Sequence, residues 1–179
     1  MNNSIEQRNA VAFRALIAAF FVNFLGYAFI VPILPSWQTQ FDINATQATL
    51  LVSLWAVPMF LMGPMSGRIT DRFGAGLTIL TSLVLLTISS GVYLLATNEW
   101  LPHPFLALCC ARLLHGASGA TIMTAGLAAA SQLWPTRFGE QAGKLLGIAA
   151  IGGLLGPVFG GVLFAWGEAS AFGLSLIHI

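Results

Sequence analysis

Two ionisable side chains lie one helical turn apart inside an apolar stretch of the sequence. Arg112 and His115 share a face of the predicted helix, and Gly116 and Gly119 continue that face. If this helix crosses a membrane, a guanidinium at such depth marks a functional site, unless the side chain snorkels to the membrane surface. His115 is a side chain that can gain and lose a proton. The pair therefore predicts a site that handles a proton or a ligand.

A second pattern combines glycines and a proline in the segment GGLLGPVFGG. Gly152, Gly156 and Gly160 are spaced by four residues, so they lie on one side of a helix. Small residues at this spacing let two helix backbones approach each other closely in lipid. Pro157 has no N–H, and it leaves the carbonyl of Gly153 without its usual donor. The pattern predicts a bent helix that packs closely against another helix.

The composition places both patterns in a membrane protein. The chain is 57% hydrophobic and 7% charged, with a mean hydropathy of +0.84, whereas a soluble domain carries about 25% charged residues. A net charge of +1 without basic or acidic runs gives no reason to expect nucleic-acid binding. Cys109 and Cys110 are adjacent in an apolar segment and indicate packing rather than a disulfide framework, and no metal site is expected.

Apolar runs of about 20 residues predict membrane-spanning helices. We expect an all-α membrane bundle in residues 14–179, after a cytoplasmic tail in residues 1–13. The chain supplies only nine residues from Ala171 onward, so we expect a truncated sixth helix whose last few residues are non-native. The predicted spans are about 14–35, 46–66, 76–96, 105–131 and 145–166, followed by the start of a sixth from 170.

The Lys and Arg residues predict the orientation of the bundle. Six of the seven lie at the N-terminus, up to Arg14, or in the loops after the second and fourth spans, and the opposite loops carry none. Because basic loops stay in the cytoplasm, we expect a multi-pass protein of the plasma or inner membrane with a cytoplasmic N-terminus. The six residues are Arg8, Arg14, Arg68, Arg72, Arg137 and Lys144.

Four segments resemble, in order, motifs of the major facilitator transporters. GGLLGPVFGG is similar to the fifth-helix signature of the antiporters, and GRITDRFG is similar to the cytoplasmic loop between helices two and three. RLLHGASGA resembles the fourth-helix pattern with one extra residue, and NFLGYAFIVPILP resembles the first helix of the drug:proton antiporter branch. The matched motif residues are Gly67, Asp71, Arg72, Gly74, Arg112, Gly116, Gly119, Ala120, Gly152, Gly156, Pro157, Gly160 and Gly161.

The resemblance implies the N-terminal half of a twelve-helix transporter. It implies proton-coupled efflux of small molecules or drugs by alternating access, with no enzymatic activity and no cofactor beyond the proton gradient. The implied partners are the lipid bilayer, a small-molecule substrate and the missing C-terminal half, without which the fragment is expected to be inactive. Candidate residues of the substrate pathway are Asn23, Tyr27, Trp55, Met59, Arg112 and His115, and those of a cytoplasmic gate are Gly67, Asp71, Arg72 and Gly74.

The chain departs from the family pattern at several positions. His115 stands where glutamine is usual, and Asn23 lies where amine-transporting relatives carry a carboxylate. Ala75 and Gly76 replace basic residues of the gate loop. All six acidic residues fall in predicted loops or tails. His115 is therefore the candidate proton carrier of this half, unless Asp71 serves at the cytoplasmic edge or the proton site lies in the other half.

Other functions stay open at the level of sequence. An uptake symporter or facilitator for a small metabolite would share the fold, although the fifth-helix signature favours export. Ser118 lies in a G-x-S-G segment, as in rhomboid intramembrane proteases, with His178 as the possible base. The region around His178 lacks the small residues that would let two such helices touch, which makes this alternative remote. A membrane scaffold without transport is a further alternative.

Packing competes with binding as the role of the pathway residues. Asn23 could equally bridge two helices, and Trp55 and Met59 share a face that could contact lipid or another helix. Asp71 and Arg72 could be ordinary solvated charges.

Overall fold

The computed structural model describes residues 2–98 and 100–165, and the regular structure of this part of the chain is entirely helical. The start of the expected sixth helix and His178 lie outside the described residues. The helices are α1 (Asn2–Phe29), α2 (Leu34–Gln40), α3 (Ala45–Ser53), α4 (Ala56–Phe73), α5 (Ala75–Thr97), α6 (Pro104–Leu133) and α7 (Phe138–Ala165), with 3₁₀ turns at Val31–Ile33 and Pro135–Arg137.

Five segments are long and apolar enough to cross a membrane, and each overlaps one of the five predicted spans. The first span joins α1 and α2, the second joins α3 and α4, and α5, α6 and α7 form the other three. The structure therefore confirms the all-α bundle and its helix count up to the fifth span.

The helices extend beyond the apolar runs that predicted them. α1 begins at Asn2, inside the segment expected as a tail, and α4 continues to Phe73 through most of the segment expected as a loop. A hydropathy window ends where polar residues begin, whereas a helix continues through polar residues that have adequate propensity. α4 ends at Gly74, whose φ of +86° is a conformation that side chains disfavour.

Prolines explain why the first two spans are interrupted. Pro32 and Pro58 have no N–H to donate to the carbonyl four residues earlier. α1 ends before Pro32, and the break between α3 and α4 falls at residues 54–55, just before Pro58. Because α1 and α3 end at these breaks, the carbonyls of their last turns lack donors from their own helices.

α6 is the centre of the bundle, and it packs along α5, α4 and α1. α1 packs against α7 as well as against α6. Glycines allow the closest approaches of α6, because a side chain at Gly116 would collide with the carbonyl of Trp55 and one at Gly126 with the ring of Phe20. Large apolar side chains such as Phe60 and Leu154 are exposed, as expected for a surface that contacts lipid.

Candidate functional site

Arg112 occupies the interface of α6 with α1 and α3 and is fully buried. Its Nε donates to the carbonyl oxygen of Leu51 at 2.7 Å, its Nη2 to that of Val52 at 3.0 Å, and its Nη1 to that of Tyr27 at 3.1 Å. Its guanidinium carbon also lies 5.5 Å from the centroid of the Tyr27 ring. The side chain therefore does not snorkel, and the alternative considered from the sequence is wrong.

The three carbonyls that Arg112 contacts belong to the last turns of α1 and α3. Carbonyls in the last turn lack donors from their own helix, and a helix C-terminus carries partial negative charge. Arg112 supplies both hydrogen-bond donors and a positive charge at the ends of these two helices. Among the described residues, no carboxylate lies within ion-pair distance of Arg112, so these helix ends take the place of a counterion.

His115 lies one turn further along α6 and is also buried. Its Nε2 is 2.9 Å from the carbonyl oxygen of Asn23. Because a carbonyl can only accept, Nε2 carries the hydrogen in this contact, and Nδ1 is the nitrogen that can take up a proton. Gly26 makes room for the ring, since a Cβ at Gly26 would lie 2.9 Å from Cε1 of His115.

Three polar side chains form a buried network across α1, α5 and α6. Asn23 donates from Nδ2 to Oγ of Ser118 at 2.7 Å. The Ser118 hydroxyl donates to the carbonyl of Ser82 at 2.9 Å, and the Ser82 hydroxyl donates to the carbonyl of Ser118 at 2.8 Å. The sequence analysis did not predict Ser82. Its signal was the polar side of α5, where Thr78, Ser82 and Ser89 recur at intervals of four and seven residues.

The remaining pathway candidates gather beside Gly119. The rings of Trp55 and Tyr27 have centroids 4.2 Å apart. A Cβ at Gly119 would lie 3.0 Å from the Met59 sulfur and 3.3 Å from Cζ2 of Trp55. The structure thus brings all six predicted pathway residues to one region, where α6 meets α1 and the α3–α4 break.

The glycine motif of α7 contacts the backbone of α1. Side chains at Gly152, Gly156 and Gly160 would collide with the carbonyls of Phe21, Leu25 and Phe29, respectively. Other members of the segment contribute less. Among the described residues, no atom of another helix would lie within 4 Å of a Cβ at Gly153, and Gly161 makes at most an ordinary contact with Pro32. α7 continues through Pro157 without interruption. Close packing is confirmed, and the bend stays a prediction.

The gate candidates lie at the opposite end of α4 from the pathway residues. Asp71 and Arg72 are exposed in the last turn of the helix rather than in a loop. Twelve residues separate Met59 from Asp71, which corresponds to about 18 Å along a helix. Arg72 lies over the ring of Phe73, at 5.2 Å from its centroid. Among the described residues, a Cβ at Gly67 would make one ordinary contact, at 3.9 Å from the methyl carbon of Thr124.

The geometry around Ser118 gives no support to a protease. Its hydroxyl is engaged with Ser82 and Asn23. Within residues 2–98 and 100–165, no histidine is hydrogen-bonded to Ser118, and His115 is bonded to Asn23 instead.

Comparison with known proteins identifies relatives along most of the chain. Residues 16–177 match the family model of the Major Facilitator Superfamily. Multidrug resistance protein 2 of Bacillus subtilis is 27% identical over 173 residues, which cover 96% of this chain and 42% of that protein. Multidrug resistance protein 1 of the same organism is 25% identical, with 89% and 39% covered. Quinolone resistance protein NorA of Staphylococcus aureus is 25% identical, with 80% and 36% covered. The chain thus spans less than half the length of these relatives.

Proposed function

Because the chain belongs to the major facilitator superfamily, we propose that it is the N-terminal half of an antiporter that exports small molecules or drugs in exchange for protons. The membrane-spanning helices provide one wall of the substrate pathway, and the second half provides the other. The names of the relatives, which refer to multidrug and quinolone resistance, support drugs as the substrate class.

The buried polar face of α6 carries this proposal. Coupling to protons requires a group that changes charge, and His115 is such a group at the contact between α6 and α1. When Nδ1 takes up a proton, the imidazolium lies one turn from the Arg112 guanidinium. Repulsion between two buried cations is strong, so protonation favours movement of α6 relative to α1. This gives a physical link between proton uptake and alternating access.

Proton coupling can be tested with the complete reading frame in proteoliposomes that enclose a pH-sensitive dye. A quinolone is the probe, since one relative is named for quinolone resistance. We expect a quinolone gradient to drive protons in the opposite direction. His115→Gln should abolish proton movement while the quinolone still equilibrates. Quinolone flux without protons would indicate a facilitator, and protons moving with the quinolone would indicate a symporter; either result contradicts the proposal.

The same assay tests the proposed gate. Asp71 and Arg72 are exposed at the end of α4, where they are free to contact the second half when the cytoplasmic side closes. Asp71→Asn removes a charge without a change of size and should reduce exchange while leaving membrane abundance unchanged. An unaltered exchange rate would make these residues ordinary surface charges.

We further propose that the N-terminus and the ends of α4 and α6 face the cytoplasm, because six of seven basic residues lie on this side. Single cysteines at Thr46 and Gly139, both exposed, test the orientation in a background without Cys109 and Cys110. A membrane-impermeant thiol reagent should label position 46 in intact cells and leave position 139 unlabelled. Labelling of position 139 alone would reverse the orientation.

A further inference from the structure

Asn23 of α1 is held by α6 at two points. Its main-chain carbonyl accepts from Nε2 of His115 at 2.9 Å, and its side-chain Nδ2 donates to Oγ of Ser118 at 2.7 Å. All three residues are buried. Because His115 and Ser118 are three residues apart, they lie on one side of α6 and contact the same residue of α1. The side-chain bond therefore helps to fix the position of the carbonyl that the imidazole contacts.

Ser82 fixes the direction of the bond between Ser118 and Asn23. The Ser118 hydroxyl donates to the carbonyl of Ser82 at 2.9 Å, and the Ser82 hydroxyl donates to the carbonyl of Ser118 at 2.8 Å. A hydroxyl has one proton, so the Ser118 oxygen can only accept from Asn23, which must present Nδ2. Ser118 thus joins α5, α6 and α1 in one arrangement of donors and acceptors.

The contact with the Asn23 carbonyl decides which nitrogen of His115 carries the hydrogen. A neutral imidazole has its hydrogen on either Nδ1 or Nε2. A carbonyl oxygen at 2.9 Å from Nε2 favours the hydrogen there and leaves Nδ1 free to accept a proton. If α1 shifts relative to α6, this preference weakens and the ring can adopt the other tautomer.

We propose that Ser118 is a positioning residue for proton uptake at His115. It holds Asn23 in place, so that the imidazole keeps its hydrogen on Nε2 and presents Nδ1 as the base. Ser118 does not itself exchange a proton, because its hydroxyl is engaged with the carbonyl of Ser82. The inference rests on the antiport proposed above, and it assigns a role to the G-x-S-G segment of α6.

The charged and titratable groups around His115 leave this role to hydrogen bonds. Arg112, one turn away on α6, acts on His115 electrostatically. Tyr27 of α1 and Tyr93 of α5 each interact with Arg112. Among the described residues, no carboxylate contacts the imidazole. The charged residues of α1, α4 and α7 are exposed, namely Glu6, Arg8, Arg14, Arg68, Asp71, Arg72, Glu140 and Lys144.

Nitrogen-15 NMR of the complete protein in lipid, labelled at its histidine rings, tests the inference without a measurement of transport. The chemical shifts of the two ring nitrogens distinguish the tautomers, and the signal that is absent from His115→Gln belongs to His115. At a pH at which the ring is neutral, we expect the hydrogen on Nε2 in the parent protein. In Ser118→Ala, a second signal with the hydrogen on Nδ1 should appear, because Asn23 loses its anchor on α6.

Ser89→Ala is the matched control. The Ser89 hydroxyl donates to the carbonyl of Ala111 at 2.8 Å, so this variant also loses a buried hydrogen bond between α5 and α6. Among the described residues, no hydrogen bond joins Ser89 to α1, and we expect the parent tautomer alone. In the exchange assay, the pH dependence of proton movement should change in Ser118→Ala and coincide with that of the parent in Ser89→Ala.

A second variant covers the case in which Ser118→Ala yields too little protein. Asn23→Ala removes the other partner of the Ser118 bond and keeps the main-chain carbonyl that His115 contacts. It should therefore show the second tautomer as well.

The parent tautomer alone in both Ser118→Ala and Asn23→Ala would overturn the inference, and so would a second tautomer of equal intensity in Ser89→Ala. These results do not depend on proton flux. Failure of the exchange assay together with the expected tautomers would contradict antiport and support the effect of Ser118 on His115. Successful exchange with the same tautomer in every variant would leave antiport standing and remove this role of Ser118.

Discussion

α1 packs against α7 through glycines and against α6 through polar side chains, and the two contacts differ in what can change them. On the α7 side, three glycines bring the backbones of the two helices together. On the α6 side, Arg112, His115 and Ser118 form directional hydrogen bonds to α1. A backbone contact has no group that titrates, whereas the polar contact contains an imidazole and a guanidinium.

This difference indicates how the half could move. The van der Waals attraction between two closely packed helices decreases steeply when the helices separate, so α1 and α7 are expected to stay together. Hydrogen bonds between side chains and carbonyls can exchange partners after a small shift. We therefore expect α6 to change its contact with α1 during the transport cycle, while α7 moves with α1. Mutations in the α6–α1 contact and in the α7–α1 contact should therefore have different effects, because the first contact changes during transport and the second stays fixed.

The largest effect is expected at Arg112, because its loss leaves three carbonyls without a donor. Arg112→Met keeps an unbranched apolar stem and removes the guanidinium with its charge and its donors. A buried group that loses its partner costs about 1–3 kcal/mol, so we expect a large fall in the unfolding midpoint in detergent and in monodisperse yield. Arg112→Lys keeps the charge but lacks the planar guanidinium that reaches two helix ends. Its unfolding midpoint should lie between those of the parent protein and Arg112→Met. A midpoint for Arg112→Met equal to that of the parent would show that the two helix ends do not need this cap.

A smaller effect is expected at the glycine contact. In Gly156→Ala, the new methyl would lie 2.5 Å from the Leu25 carbonyl oxygen and 2.9 Å from Cβ of Ala28. Overpacking of this kind costs about 1–3 kcal/mol. It affects one contact, whereas the loss of Arg112 affects three carbonyls. Gly153→Ala is the control on the same helix, since its new methyl would meet no atom of another helix within 4 Å among the described residues. We expect a lower unfolding midpoint and lower yield for position 156 and no loss for position 153.

If both alanine variants unfold at the same temperature, the contact between α7 and α1 is loose and cannot hold the helices together. If Gly156→Ala instead alters the pH dependence of transport and leaves stability unchanged, the distinction between a fixed and a switchable contact fails.

The sequence predicted the α7 contact better than the α6 contact for a physical reason. Glycines at a spacing of four specify a close approach whichever helix is opposite, so only the identity of α1 was missing. The partners of Arg112 are main-chain carbonyls, and any residue type supplies a carbonyl. Their availability depends on where α1 and α3 end, which the prolines of the first two spans allow but do not fix. Burial of Arg112 therefore required the three-dimensional structure.

The helix ends show the same limit. Five spans followed from apolar runs, and the structure confirms them. The segment GRITDRFG is polar enough to suggest a loop, yet α4 continues through it as far as Phe73. Hydropathy indicates which part of a helix can lie in lipid. The end of a helix depends instead on the local backbone conformation, such as the positive φ of Gly74.

The smallest loss of stability is expected for a substitution at Ser82. Ser82→Ala removes one hydroxyl that donates to the Ser118 carbonyl, while the Ser118 hydroxyl keeps its bond to the Ser82 carbonyl. Hydrogen bonds between membrane helices average about 0.6 kcal/mol, so the unfolding midpoint should fall less than in Gly156→Ala. Ser118→Ala is the companion variant, because it also leaves Nδ2 of Asn23 without an acceptor and should cost more. A larger loss for Ser82→Ala than for Gly156→Ala would mean that hydrogen bonds, rather than close packing, hold this bundle together.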